Sequence, residues 1–275
     1  MQTGQPSHPI RHPMCPPPKV PVDWGRFRAV LFDLDGVITQ SARIHAAAWK
    51  ETFDDFLARH SKTTGTAFEP FDIHRDSTRH VDGLPRRDGI RAFLKSRGLS
   101  LAEGSPDAPA TSDTIAGLAN RKNAAFHRIL ERDGISLYQD ALVLLSGVEA
   151  RGCRTGLITS SRNCAAVLAA AGLTGRFDVE IDGVVAARLH LAGKPAPDTF
   201  LEAARRLGVT PSQAALVEDS IAGIEAASAG GFALVIAVDR AGIAAELRAA
   251  GADLVVDDLA CLVEGVEETS PELGP

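Results

Sequence analysis

The sequence predicts an α/β fold, in which a doubly wound parallel sheet forms the core and an all-helical domain is inserted into it. Short apolar runs alternate with helical patterns over most of the chain, which is typical of a parallel sheet with helices on both faces. Residues 41–134 break this alternation, because they contain helical patterns without a convincing strand between them. We therefore expect one sheet-containing core and one helical insertion.

Apolar runs along the chain are predicted to be the strands of the sheet. They are continuous, as expected of strands buried on both faces, and lie at residues 29–32, 155–158, 214–217, 232–238 and 254–256. After each of the last four runs comes a helical pattern, beginning near Arg162, Ser220, Ala241 and Asp258. This order predicts the strand–helix repeat of an open parallel sheet.

The helical insertion is predicted to follow the first strand directly. Helical periodicity covers residues 42–60, 86–96 and 112–132, and most of the Gly, Pro, Ser and Thr falls in loops 61–71 and 98–111. We expect hinges near residues 39–41 and 135–138. The predicted domains are a core made of residues 26–40 and 137–266, and a helical cap made of residues 41–136.

Composition and termini exclude several classes of partner. The 275 residues are 45% hydrophobic, and the net charge of −6 argues against nucleic acid or an anionic membrane as a partner. The four cysteines lack metal-type spacing, and no apolar run is long enough for a membrane span or a signal region. We expect a cytoplasmic monomer with a polar, Pro-rich, mobile leader at residues 1–25 and a frayed tail at 267–275.

Asp33 and Asp35 form the most informative motif, at the end of the first predicted strand. Side chains at i and i+2 point the same way from an extended backbone, so the two carboxylates would stand side by side. Like charges so close together are costly unless a cation or a shared proton compensates, and open parallel sheets bind ligands at this edge. The alternative for this motif alone is a helix N-cap or a solvated turn.

A run of hydroxyl residues ends the second predicted strand. Thr159, Ser160 and Ser161 are followed by Arg162 and Asn163 as a helix begins. Hydroxyls and free N–H groups at a helix N-terminus form a phosphate site. Plain capping of the helix by Ser160 or Ser161 is the alternative.

One lysine and a second acid pair complete the pattern. Lys194 lies in a proline-stiffened loop before a helix, and its alternative is a solvated lysine. Glu218 and Asp219 end a predicted strand before another helix, where the helix dipole alone would favour acids. Each motif by itself is weak, but acid pair, hydroxyl, lysine and acid pair in this order form a specific pattern.

This pattern resembles the haloacid dehalogenase superfamily of phosphotransferases, over nearly the whole folded chain. The resemblance implies a Rossmann-like core in which Asp33 attacks a phosphoryl group and becomes an aspartyl phosphate. It implies that Asp35 is the general acid and base, and that Thr159 and Lys194 hold the transferring phosphoryl group. Superfamily members that cleave carbon–halogen bonds lack the acid equivalent to Asp35, so its presence argues against dehalogenation.

The same resemblance implies Mg²⁺ as the cofactor. Glu218 and Asp219 match the second acidic motif, which together with Asp33 and the main-chain carbonyl of Asp35 would hold the ion. Hard oxygen ligands and a phosphate partner are what Mg²⁺ prefers.

The cap motifs are similar to those of the β-phosphoglucomutase family. They are Gly36 to Thr39 followed by Ser41, His45, Trp49 and Lys50, then Gly83 to Asp88, then Asn120 to Asn123. The resemblance implies that His45 orients Asp35 and the sugar, that Arg86 grips the phosphate not being transferred, and that Lys122 closes over the sugar. Trp49 and the loop around residues 83–85 match parts of the substrate-specificity region. The alternatives are that Trp49 is a core residue and that Arg86 and Lys122 are surface charges.

The expected function is therefore phosphoryl transfer on a small sugar phosphate. We expect interconversion of β-D-glucose 1-phosphate and glucose 6-phosphate through the aspartyl phosphate and a glucose 1,6-bisphosphate intermediate, with Ser160, Ser161, Arg162 and Asn163 binding substrate. Gln40 and Pro85 depart from the family pattern, and the two cap loops lengthen the cap. These departures leave a sugar- or polyol-phosphate phosphatase as the alternative.

Overall fold

The structure is a computed structural model that describes residues 22–263, and its centre is a six-stranded sheet. The strands are β1 (Ala29–Asp33), β2 (Arg154–Ile158), β3 (Val179–Ile181), β4 (Ala214–Glu218), β5 (Leu234–Val238) and β6 (Leu254–Val256). Their order is β3-β2-β1-β4-β5-β6, and every neighbouring pair is parallel. This order is the doubly wound topology, which confirms the predicted fold class.

Helices precede or follow every strand. The α-helices are α1 (Ala42–Thr64), α2 (Arg75–His80), α3 (Arg86–Ser96), α4 (Ile115–Asp133), α5 (Gln139–Glu149), α6 (Cys164–Ala171), α7 (Gly183–Arg188), α8 (Asp198–Arg206), α9 (Ile221–Ala229) and α10 (Ala244–Ala249). Short 3₁₀-helices lie at Trp24–Arg26, Pro211–Gln213 and Leu259–Leu262. Among residues 22–263, no helix combines the length and the apolar character that crossing a membrane requires.

Different helices cover the two faces of the sheet. Side chains alternate along β1, so Val30 and Phe32 pack into one apolar cluster with α5 and α6, whereas Leu31 packs into a second cluster with α8 and α9. All residues of β1 are buried. This burial on both faces explains why the strand is apolar without interruption until it reaches Asp33.

Helices α1–α4 and the loops between them, here called the cap, follow β1 directly. They share an apolar cluster of their own, in which Phe53 packs on Phe93 and Phe71 with ring centroids 4.1 and 5.2 Å apart. Helices α1 and α4 also reach the core, because Ile44 of α1 and Phe126 of α4 belong to the apolar cluster that contains Val30 and Phe32 of β1. Apolar packing therefore ties the cap to the core beside β1.

The long cap helices agree with the sequence prediction except at their ends. Helix α3 has the predicted bounds, whereas α1 continues to Thr64 and ends where Gly65 adopts a φ of 71°. Helix α4 begins three residues later than predicted, because the Thr114 hydroxyl accepts a hydrogen bond from the Gly117 N–H, 3.0 Å away, and caps it there.

Several short elements differ from the sequence prediction. Strand β3 and helices α2, α5 and α7 were not predicted, and β3 is only three residues long at the edge of the sheet. The helix expected near Asp258 is a four-residue 3₁₀-helix. Elements of one or two turns carry too little periodicity to be recognised without their tertiary contacts.

The predicted mobile leader is wrong at its last residues. Trp24 is buried, and its indole N–H donates to the carbonyl oxygen of Leu262 at 2.7 Å. Burial of this large ring fastens the start of the described chain to its end beneath the sheet. The rest of the leader, and the predicted tail at 267–275, lie outside the described residues.

Candidate active site

The parallel register brings the predicted motifs to one edge of the sheet. Asp33, the last residue of β1, is paired with Ile158 of β2, so Thr159 follows at the same edge. On the other side of β1, Phe32 is paired with Val217 of β4, so the next residues, Asp33 and Glu218, lie at the same edge. Residues separated by more than a hundred positions in the sequence therefore meet at the carboxyl ends of three adjacent strands, where open parallel sheets bind ligands.

Lys194 lies at the centre of the acidic groups on the core side. Its ammonium lies 2.5 Å from Asp33 Oδ1 and also hydrogen-bonds Glu218 Oε1. The side chain is buried, and its ammonium lies 5.0 Å from the centroid of the Phe200 ring. Although burial opposes the charged form, Asp33 and Glu218 raise the pKa of Lys194. Lys194 is therefore a buried cation fixed between two carboxylates, and not a solvated lysine.

Glu218 faces the protein interior. While Oε1 binds Lys194, its Oε2 accepts hydrogen bonds from the N–H groups of Asp219 and Ser220, each at 2.8 Å, and from the Ser220 hydroxyl at 2.9 Å. The side chain is fully buried. Gly223 allows this position, since any side chain there would overlap the Glu218 carboxylate. Glu218 thus anchors Lys194 and the start of α9.

Asp33 and Asp219 are carboxylates whose negative charges are not fully balanced by neighbouring cations. Burial, opposed by Lys194 and reinforced by Glu218 and Asp35, raises the pKa of Asp33 well above its usual value. Burial and repulsion from Glu218 and Asp33 do the same for Asp219. Asp219 also lies against Gly36, whose φ of 98° and missing side chain leave room for its carboxylate.

These two carboxylates fit a divalent cation. A cation between Asp33 and Asp219 would relieve the repulsion that raises both pKa values. Within residues 22–263, no three His, Cys, Asp or Glu side chains come together as a ligand set. The predicted ligand Glu218 has both carboxylate oxygens engaged by Lys194 and by the start of α9, so Asp33 and Asp219 are the candidate side-chain ligands. The main-chain carbonyl of Asp35 stays a predicted third ligand, and oxygen ligands of this kind suit Mg²⁺.

Asp35 is held by side chains from both the core and the cap. Its Oδ2 accepts a hydrogen bond from the Thr159 hydroxyl at 2.9 Å, and its Oδ1 accepts one from Ser41 and lies 3.3 Å from His45 Nε2. Burial is outweighed by His45 and by these hydroxyls, which hold the pKa of Asp35 below its usual range. Asp35 is therefore an ionised base in this arrangement, and Thr159 contacts it directly.

A buried histidine–lysine pair forms the cap side of the site. The Lys122 ammonium lies 2.6 Å from His45 Nδ1 and within 5.0 Å of the ring centroids of both Trp49 and Phe126. Because the ammonium can only donate, Nδ1 must accept, and the histidine proton is placed on Nε2, towards Asp35. Burial and the nearby Arg86 hold the pKa of Lys122 well below its ordinary value. The pKa of His45 is lowered by burial and by Lys122.

Arg86 begins helix α3 and is half-buried. Its guanidinium donates to Asn123 Oδ1 at 2.8 Å and to the Ala119 carbonyl at 3.3 Å, both on α4. Burial and the nearby Arg162 lower the pKa of Arg86 to about 10. Neither Arg86 nor Lys122 is thus an ordinary surface charge, and both lack a carboxylate partner within ion-pair distance among the described residues.

One cavity between the core and the cap contains most of the predicted site residues. It is lined by Asp33, Asp35, His45, Trp49, Arg86, Lys122, Thr159, Ser160, Ser161, Arg162, Lys194 and Asp219. Two predicted site residues do not line it. Glu218 lies behind Lys194, and Asn163 is buried at the start of α6 with its Nδ2 unpaired. Trp49 both lines the cavity and stacks on Phe53, so the two readings of this residue are compatible.

Two polar residues that line this cavity are not among the predicted site residues. They are Asp82, which directly precedes the Gly83 motif, and Ser220, which caps α9. Ser160 also contacts the cap, because its hydroxyl donates to the Gly83 carbonyl at 2.7 Å. The available signal for Asp82 was its position directly before Gly83, the first residue of a predicted cap motif.

Comparison with known proteins gives a consistent result. Residues 27–231 match the haloacid dehalogenase-like hydrolase family. A β-phosphoglucomutase from Mycobacterium bovis is 46% identical over 241 residues, covering 86% of this chain and 92% of that protein. One from Bacillus subtilis is 32% identical, covering 83% and 88%. The crystal structure of a β-phosphoglucomutase from Clostridium difficile has a TM-score of 0.65 and 25% identity, covering 85% and 92% of the two chains.

Proposed function

Because the chain belongs to the haloacid dehalogenase-like hydrolase family, we propose that it is a Mg²⁺-dependent phosphoglucomutase that interconverts β-D-glucose 1-phosphate and glucose 6-phosphate. The observation that carries the proposal is a single cavity with Asp33 on the core side and Arg86 on the cap side. An acidic nucleophile and an arginine on opposite sides of one cavity would suit a sugar with a phosphate at each end. A monomeric state and residence in the cytoplasm stay predictions of the sequence.

Asp33 is the proposed nucleophile. One of its carboxylate oxygens attacks phosphorus, the bond from phosphorus to the sugar oxygen breaks, and an aspartyl phosphate forms. Lys194, 2.5 Å from Asp33 Oδ1, would balance charge on the transferring group. When bound beside Asp33 and Asp219, Mg²⁺ would withdraw charge from the phosphoryl oxygens.

Asp35 moves the proton. In the first half-reaction, the ionised carboxylate takes the proton from the sugar hydroxyl that attacks the phosphorylated Asp33. After the bisphosphate has turned around, the protonated Asp35 returns that proton to the sugar oxygen that leaves. The lowered pKa of Asp35 keeps the carboxylate ionised, as the first step requires, and His45 and Thr159 position it.

The cap supplies the grip on the phosphate that does not react. A bisphosphate intermediate binds in two orientations, so one cationic group must hold whichever phosphate is distal. Arg86 suits this role, because a guanidinium offers a planar, bidentate set of donors. Arg162 lies close enough to Arg86 to lower its pKa, and it would add positive charge there.

A product assay tests the proposal. Wild-type protein with β-glucose 1-phosphate, Mg²⁺ and a trace of glucose 1,6-bisphosphate should yield glucose 6-phosphate with little inorganic phosphate. The bisphosphate should remove an initial lag, because it phosphorylates Asp33. If inorganic phosphate is released from many sugar phosphates and no priming occurs, the phosphatase alternative is correct.

A further inference from the structure

An acidic side chain faces the cavity from the cap. Asp82 lies in the loop between α2 and α3, and its Oδ1 accepts a hydrogen bond of 2.7 Å from the hydroxyl of Ser77, which is buried. Across the part of the chain that the structure describes, no arginine, lysine or histidine forms an ion pair with Asp82. The carboxylate is thus fixed by one neighbour and leaves Oδ2 open to the cavity.

Asp82 lies at the boundary between cap and core. Asp82 is exposed to solvent in the ligand-free protein. Partial desolvation by the surrounding protein raises its pKa, opposed by the Ser77 hydrogen bond and by the Lys122 ammonium, so the lysine lies within electrostatic reach. The same carboxylate contributes to the raised pKa of Asp219 on the core side. The neighbouring Gly83 contacts the core, because any side chain there would overlap Ser220.

A carboxylate in a cavity that takes two phosphates needs an explanation. It repels both phosphates, so a phosphate-binding role is excluded for it by charge. It can accept hydrogen bonds but cannot donate them when ionised, whereas Lys122 can only donate. Between the two phosphates of a sugar bisphosphate lie uncharged hydroxyl groups, which are the groups that both donate and accept.

Building on the proposed function, we propose that Asp82 accepts hydrogen bonds from ring hydroxyls of the sugar and is a specificity-determining residue of the cavity. Ser77 fixes one oxygen of the carboxylate so that the other presents a defined acceptor. A bound sugar would cover the free oxygen of Asp82, so a substrate without the matching hydroxyl leaves a covered acceptor unpaired, and a site built in this way discriminates against the deoxy analogue.

The test compares β-glucose 1-phosphate with its 2-deoxy, 3-deoxy and 4-deoxy analogues. Sugar isomer and inorganic phosphate are both measured, so that the ratio of kcat/KM values can be obtained for a mutase or a phosphatase. In the wild type, at least one analogue should be about tenfold or more poorer than glucose 1-phosphate. In Asp82→Ala this ratio should fall towards one, and Ser77→Ala should lower it partially.

Matched variants separate hydrogen bonding from charge. Asp88→Asn removes an exposed acid of helix α3 that pairs with Arg91, and it should keep the wild-type ratio. Asp82→Asn keeps the size of the side chain and should retain part of the discrimination. An unchanged ratio in Asp82→Ala, or equal slowing of all four sugar phosphates and of acetyl phosphate, would overturn the inference. A wild type that hydrolyses acetyl phosphate but converts no sugar phosphate would overturn the proposed function instead.

Discussion

The core side and the cap side of the cavity carry opposite excesses of charge. On the core side, the carboxylates of Asp33, Glu218 and Asp219 surround one ammonium, that of Lys194. On the cap side, burial and Arg86 lower the pKa of Lys122, and burial and Arg162 lower the pKa of Arg86. Each side is electrostatically unbalanced alone. A ligand that combines a divalent cation with phosphate groups would balance both sides together.

The two buried lysines show what this difference means for stability. Lys194 lies between two carboxylates that raise its pKa, whereas Lys122 has an imidazole and two aromatic rings around it and a lowered pKa. Breaking a buried ion pair leaves an uncompensated charge, whereas removing an unpaired buried charge relieves a cost. Lys194 therefore stabilises the fold, and Lys122 is retained at the expense of stability.

The largest expected effect is on the nucleophile of the core side. Asp33→Asn keeps size and polarity but removes the attacking oxygen charge, so activity should fall by a factor on the order of 10⁴ or more. Circular dichroism and urea unfolding should show that the fold is retained. Near-normal turnover of a folded Asp33→Asn protein would contradict the aspartyl-phosphate mechanism.

The second prediction concerns the proposed cation site on the acidic core side. Chelation should abolish turnover, and Asp219→Ala should raise the Mg²⁺ concentration needed for half-maximal activity or abolish activity. Because Asp219 repels Asp33 and Glu218, Asp219→Asn should stabilise the metal-free protein in urea unfolding while weakening its stabilisation by added Mg²⁺. Full activity in excess chelator would be incompatible with the proposed cation site.

Substituting the two lysines tests the comparison directly. Lys194→Met should lower the free energy of unfolding by about 3–5 kcal/mol, because Asp33 and Glu218 lose their buried partner. Lys122→Met should change it by less than about 1 kcal/mol or raise it. Lys95→Met, at an exposed position of α3, is the control and should stay within about 0.5 kcal/mol of wild type. Equal losses for both buried lysines would refute the contrast.

Arg86 should separate isomerisation from simple phosphoryl hydrolysis. Arg86→Ala removes the proposed grip on the distal phosphate, so mutase kcat/KM should fall by roughly 100-fold or more, while acetyl phosphate hydrolysis falls less. Arg87→Ala, one residue further along α3 and outside the cavity lining, is the matched control. A parallel fall in both activities would assign Arg86 a structural role through Asn123 and α4.

The smallest expected effect is a pH dependence due to Lys122. Burial and Arg86 lower its pKa in the folded protein below the ordinary value of 10.5, so the unfolded chain binds more protons in the interval between the two values. Lys122 thus costs stability at lower pH, and this cost disappears as pH rises through that interval. The stability advantage of Lys122→Met over wild type should therefore shrink with rising pH in urea unfolding. A constant difference would show that folding does not shift the pKa of Lys122.

The sequence by itself determined the strand ends and the residues that stand there. Continuous apolar runs marked β1, β2 and β4, and parallel pairing then brings Asp33, Thr159 and Glu218 to one edge without further information. Helix α3 was predicted with its observed bounds because its apolar periodicity is strong over three turns. Such features depend on local pattern and on the regular geometry of a parallel sheet.

Only the tertiary structure decided which partner each polar side chain has. In the structure, Glu218 binds Lys194 and the start of α9, and Asn163 does not line the cavity. Lys122 of α4 contacts His45 of α1. The tertiary structure also placed Asp82 in the cavity. Partner choice and burial depend on contacts between residues far apart in the chain, and periodicity, which repeats over a few residues, does not encode them.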